Sequence, residues 1–173
     1  MKFKMINRLN ILGLCSSLGA AAALCVLPRL AAATEGPRAL TGTWRVQVQQ
    51  YDCASDASIG MPFESFLTFG ADRTLIETTA NPTFEAGQRG PGHGFWHRTG
   101  HNDFRAVSEA FIQFSSPARG PIPALAAGRQ RIDQDIEYAG GDRFQSDAKV
   151  EFTDASGTVL RSGCAKASAT RME

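Results

Sequence analysis

The chain is short of cysteine, of excess charge of either sign, and of long apolar runs. Four cysteines occur in 173 residues, and two of them, Cys15 and Cys25, lie within the first 33. Basic and acidic residues nearly balance, 18 against 17. Lys2, Lys4, Arg8 and Arg29 all precede residue 34, so the remainder carries 14 basic and 17 acidic residues, a net of −3. That balance implies neither nucleic acid nor an anionic membrane surface as partner. No internal repeat, heptad or long amphipathic helix is present, which leaves out repeat arrays and helical bundles. The longest apolar stretch, Ile11 to Leu27, is short for a membrane-spanning helix.

What is present begins with that stretch. Basic residues precede it, and Ala31-Ala32-Ala33 follows it as a small-residue cleavage site. Residues 1–33 therefore read as a signal peptide, and residues 34–173, about 140 residues, as one domain. The expected location is the periplasm or the extracellular space, with no membrane span in the mature chain. In such an oxidising compartment Cys53 and Cys164 are free to form a disulfide. Closing a loop of about 110 residues would contribute on the order of 3–5 kcal/mol in the chain-entropy model.

From Thr43 to Gln50 the chain alternates, with Trp44, Val46 and Val48 on one face and Thr43, Arg45, Gln47 and Gln49 on the other. That is the pattern of a half-buried strand. The last stretch, Gly157 to Met172, alternates as well. Facing residues of an antiparallel pair share a constant number sum. Cys53 with Cys164 gives 217 and Trp44 with Arg171 gives 215, one register to within a bulge. Parity sets both cysteines opposite to the Trp44/Arg171 pair. The first strand then lies beside the last, the sulfurs join outside, and a guanidinium lies by the indole inside, a cation–π contact of roughly 0.5–2 kcal/mol. A sheet whose ends meet is a closed barrel.

Gly42-Thr43-Trp44 on the first strand and Arg171 near the C-terminus resemble the calycins, the group of lipocalins and fatty-acid-binding proteins. Lipocalins place a Gly-x-Trp on the first strand and an Arg over that Trp. The resemblance implies an all-β, eight-stranded antiparallel up-and-down barrel with a small-molecule cavity. Strands are expected at Pro62–Phe69, Thr74–Ala80, His93–Arg98, Phe104–Phe114, Arg129–Tyr138, Arg143–Phe152 and within Gly157–Met172. Ser115 to Gly128, with three prolines, reads as a longer connection with a short helical turn. The charged outer row of the sixth strand (Arg129, Arg131, Asp133, Asp135, Glu137) argues against an outer-membrane barrel.

The inner faces carry many small residues, among them Ala106, Ser108, Ala110, Ser146, Ala148 and Ala167. They favour an open interior for one small, mostly apolar molecule. Phe104, Ser108, Ile112, Gln130, Gln134, Tyr138, Phe144 and Ala148 are the expected ligand-binding residues. Trp44 and Arg171 are the expected structural pair. The opposing expectation is a filled core.

His93, His97 and His101 are the only histidines. Eight residues span roughly 26 Å on a strand and about 12 Å on a helix, so no single ion collects all three; a sharp turn at Gly100 could fold only His101 back towards His97. No metal site and no cofactor are expected. His93 and His97 read as polar residues of the barrel mouth or inner wall. Gly87 to Gly92 matches no phosphate-binding fingerprint and reads as a plain loop. Taken together, the sequence predicts an exported lipocalin-like barrel that binds a small apolar molecule without catalysis. The alternative is an isomerase or cyclase with His93 or His97 as acid/base at the mouth.

Overall fold

A computed structural model describes residues 40–115 and 125–173. The expected signal peptide at residues 1–33 and the helical turn expected in the long connection lie outside the described residues. The described residues form eight strands: β1 Gly42–Tyr51, β2 Ser58–Phe69, β3 Thr74–Thr79, β4 Arg89–Arg98, β5 Asp103–Ser115, β6 Leu125–Gly140, β7 Arg143–Asp154 and β8 Val159–Arg171. Each pairs antiparallel with its neighbours in sequence, and β1 pairs with β8, closing the barrel. No helix of the described residues is long and apolar enough to cross a membrane.

The closing register is the one that alternation predicts. Trp44 faces Arg171, Val48 faces Ala167 and Tyr51 faces Cys164. Cys53 lies just past the end of β1, in the turn that leads to β2, and bonds Cys164 with a Cα–Cα distance of 5.3 Å. The bulge expected between the two pairs is therefore unnecessary, because the chain has already left the ladder at Cys53. Two differences from the expected strands matter. β6 starts at Leu125, four residues earlier than expected, because it continues alongside β5 to Ser115. β4 starts at Arg89, so the second half of the supposed glycine-rich loop is strand.

The interior divides into two parts. One end is filled by aromatic rings. Trp44 is fully buried and its Nε1 donates to the Leu40 carbonyl at 2.8 Å. Its ring meets Phe144 at 4.8 Å and Tyr138 at 6.3 Å, both edge-on. Phe69 bridges Phe144 and Trp96, and Trp96 meets Phe104. Trp96 donates its own Nε1 to the Gly70 carbonyl at 3.0 Å, so both indoles are satisfied. Arg171 lies over Trp44 with its guanidinium carbon 4.2 Å from the ring centroid. Gly42 allows this close approach, since a Cβ there would meet Arg171 Nη1 at 2.8 Å.

The outer wall is mixed. Arg105 pairs with Asp133 through two hydrogen bonds of 2.9 and 2.8 Å, and Arg131 pairs with Glu109. On β2 to β4 the outer face carries exposed Phe66, Ile76 and Phe95.

Candidate functional site: an interior cavity with a buried ion pair

Beyond the aromatic plug, toward the other end of the barrel, the inner faces are small and the core opens. The cavity has about 70 Å³ of space open to the centres of water molecules. One water needs roughly 10–15 Å³ in that measure, so about five to seven waters fit. A ligand of similar bulk has on the order of five to ten non-hydrogen atoms.

The wall follows from strand parity. β1 contributes Val46 and Val48, β2 Phe63, Ser65 and Leu67, and β8 Ala165 and Ala167. β5 to β7 contribute Ser108, Gln130, Ile132, Gln134, Ser146, Ala148 and Val150. Most of this surface is apolar. Of the eight residues expected to contact a ligand, Ser108, Gln130, Gln134 and Ala148 line the cavity. Phe104, Tyr138 and Phe144 lie in the aromatic plug, where they pack on or beside the two indoles. Ile112 is buried but is not part of the cavity wall. The eight share the inner face, as alternation requires. Alternation fixes the face but not the height along the barrel, which decides between plug and cavity.

The histidines are placed differently from the expectation. Trp96 takes the inner face of β4, together with Gly92 and Gly94. His93 and His97 have the opposite parity and are exposed on the outer wall. His97 lies opposite Arg105, near the plugged end, and not at the cavity mouth. Neither lines the cavity, and no group of three potential metal ligands occurs among the described residues.

The sequence reading missed Glu77 and Arg89. Glu77 lies on the inner face of β3 and lines the cavity with only 4% of its surface exposed. Arg89 Nη2 donates to Glu77 Oε2 at 2.5 Å, with both side chains almost fully buried. Arg89 Nε donates to Gln130 Oε1, and Nη1 donates to the Gly90 carbonyl at 3.0 Å. Burial of such a pair is tolerated when further hydrogen bonds support it, and here they support the guanidinium: Gln130 Oε1 and the Gly90 carbonyl accept from Arg89 besides Glu77.

The local sequence explains how Arg89 comes to point inward. The β4–β5 register shifts between Arg89 and Gly92, a bulge that puts an odd-numbered residue on the even-numbered inner face. Gly92 and Ala110 face each other across β4 and β5 between Glu77 and Gln130. Because both are small, the Arg89 side chain can span from one acceptor to the other. A Cβ at Gly92 would overlap Glu77 Oε2, and a Cβ at Gly94 would overlap the Val107 carbonyl oxygen. These glycines keep room for the ion pair and for the close approach of β4 to β5.

The polar atoms of the wall are unevenly used. Gln130 is fixed by Arg89, which takes its Oε1 and so turns its Nε2 elsewhere. Ser146 Oγ donates to Gln134 Oε1 at 3.4 Å, and Ser65 Oγ donates to the Thr78 carbonyl at 2.7 Å. Glu77 Oε1, Gln130 Nε2, Gln134 Nε2 and Ser108 Oγ have no partner among the described residues. No buried side-chain nitrogen or oxygen among those residues is unsatisfied, so these four atoms border open space. All four belong to residues of the cavity wall.

No protein-family model matches this chain, and no curated protein is similar to it.

Proposed function

We propose that the protein is an exported, lipocalin-like barrel that binds one small, mostly apolar molecule in its interior and does so without catalysis. The observation that carries this reading is the cavity beyond the aromatic plug. It is walled by aliphatic and small side chains and furnished with a few convergent polar groups, the composition of a small-molecule site. The closed eight-stranded barrel supplies the scaffold, at a strand number where the interior holds either side chains or one small ligand. The Trp44–Arg171 pair supports kinship with the calycins. The Cys53–Cys164 disulfide supports export, because such bonds persist in oxidising compartments. Both acid/base candidates, His93 and His97, face away from the cavity, so no observation favours the isomerase or cyclase reading.

Native mass spectrometry of protein purified from its own host tests this reading. A retained mass increment of a small molecule, lost on denaturation, is expected. Protein that carries no increment and takes up none from an extract of the same host would overturn it.

A further inference from the structure

Resting on the reading of the interior as a binding cavity, we propose that its ligand is a neutral molecule with a hydroxyl group, anchored between Glu77 and Gln130. The wall offers an acceptor, Glu77 Oε1, and a donor, Gln130 Nε2, on the same ring of the barrel. A hydroxyl group both donates and accepts, so its chemistry complements an acceptor and a donor at once. Ser108 Oγ and Gln134 Nε2 add a second donor-capable pair on neighbouring strands.

Charge narrows the class further. Glu77 is the charged residue of the cavity wall, and Arg89 neutralises it from behind. An anionic ligand would face a carboxylate, with the balancing guanidinium already bound to Glu77, Gln130 and the Gly90 carbonyl. A cationic ligand would bring a net charge into a site that is otherwise balanced. Arg89 is not itself a wall residue. It is a positioning residue: it holds Glu77 and Gln130 in fixed orientations, so the acceptor and the donor are already aimed when a ligand arrives. Much of the remaining wall is apolar, including Val46, Leu67, Phe63 and Ile132, which suits a compact apolar body behind the hydroxyl.

The test is a four-probe panel of similar size: phenol, toluene, benzoate and benzylammonium. Each is titrated by calorimetry or ligand-detected NMR into the wild-type protein and into Glu77→Gln. Wild type is expected to bind phenol about tenfold more tightly than toluene, the effect of roughly one satisfied buried hydrogen bond, and more tightly than either ion. In Glu77→Gln the phenol preference over toluene should fall toward equality. Toluene, benzoate or benzylammonium matching or exceeding phenol on wild type overturns the hydroxyl assignment while leaving the cavity reading in place. An unchanged phenol preference in a folded Glu77→Gln overturns the anchoring role. If none of the four probes binds wild type, the cavity reading itself fails, and the hydroxyl assignment with it. Should Glu77→Gln not fold, the wild-type ranking alone decides.

Discussion

Arg171, third from the end of the sequence, lies over the ring of Trp44 on the first strand, its guanidinium carbon 4.2 Å from the centroid, and the two face each other across the β1–β8 ladder. This contact plugs one end of the barrel and seams the sheet at the same point. Arg171 also donates from Nε to Asp142 at 2.6 Å and from Nη1 to the Thr41 carbonyl, tying the β6–β7 turn and the start of β1 to the same side chain. Replacing Trp44 by Ala removes a fully buried indole and should cost about 3–5 kcal/mol. Arg171→Lys keeps the charge but loses the guanidinium over the indole and should cost about 1 kcal/mol. Urea unfolding of both variants beside wild type checks the order, with Trp44→Ala well below Arg171→Lys.

The disulfide joins positions 111 residues apart. Its main effect falls on the unfolded chain, which it keeps compact. The paired variant Cys53→Ser/Cys164→Ser should remain folded, since the β1–β8 ladder does not depend on the sulfurs. It should lose about 3–5 kcal/mol on the chain-entropy account. Comparing the urea midpoints of the oxidised protein and the variant measures the difference. A midpoint that does not move would show that the ladder alone sets stability.

Gly92 and Gly94 give a graded prediction. A methyl group at Gly92 meets the end of the Glu77 side chain, which can move, though only by disturbing its pairing with Arg89. A methyl group at Gly94 meets the backbone of Val107 on β5, which cannot move without breaking the ladder. Gly94→Ala should therefore be the more destabilising of the two, by about 2 kcal/mol or more. Thermal unfolding of the two single variants decides it, and equal losses would contradict the packing described for β4.

Acid should act through the turns. Asp52, Asp72 and Asp154 each accept hydrogen bonds from nearby backbone amides and hydroxyls. Ser55 hydrogen bonds, Thr74 hydrogen bonds and the Ser156 and Thr158 hydrogen bonds, respectively, hold their carboxyls below the ordinary value of 3.8. On the outer wall, the Arg105 hydrogen bond holds Asp133 down as well. A carboxyl that ionises more readily when folded contributes its full stabilisation above its unfolded pKa, and that contribution is lost as pH falls through the folded one. Melting temperature should thus be flat from about pH 5 upward on account of these groups and should drop below about pH 4. The drop should shrink in Asp154→Asn, whose turn no longer titrates. Scanning calorimetry across that range provides the check.

Much of this architecture could be read from residue order. Alternation placed the inner faces of β5, β6 and β7, and the matching parity of Trp44, Arg171, Cys53 and Cys164 showed that the sheet closes. The polar heart of the cavity could not be read in that way. In β3 the apolar residues Leu75 and Ile76 are adjacent and fall on opposite faces, so the strand does not announce which face holds Glu77. In β4 the glycines conceal the strand, and the bulge after Arg89 reverses the parity on which any count would rely. For the histidines the deciding residue is Trp96: once its ring packs on Phe69 and Phe104, His93 and His97 must point outward. Height along the barrel was the other missing coordinate, which is why Phe104, Tyr138 and Phe144 belong to the plug and not to the cavity wall.

The most direct measurement is an amide-resolved NMR titration of the folded protein with toluene and then phenol, repeated on Ala148→Trp, in which an indole occupies the space beside Gln134. Occupation of the interior predicts shifts centred on Ser108, Gln134, Ala148 and Ala167 in wild type and their loss in the variant. Shifts confined to the exposed wall around Phe66, Ile76 and Phe95, or unchanged by Ala148→Trp, would contradict it.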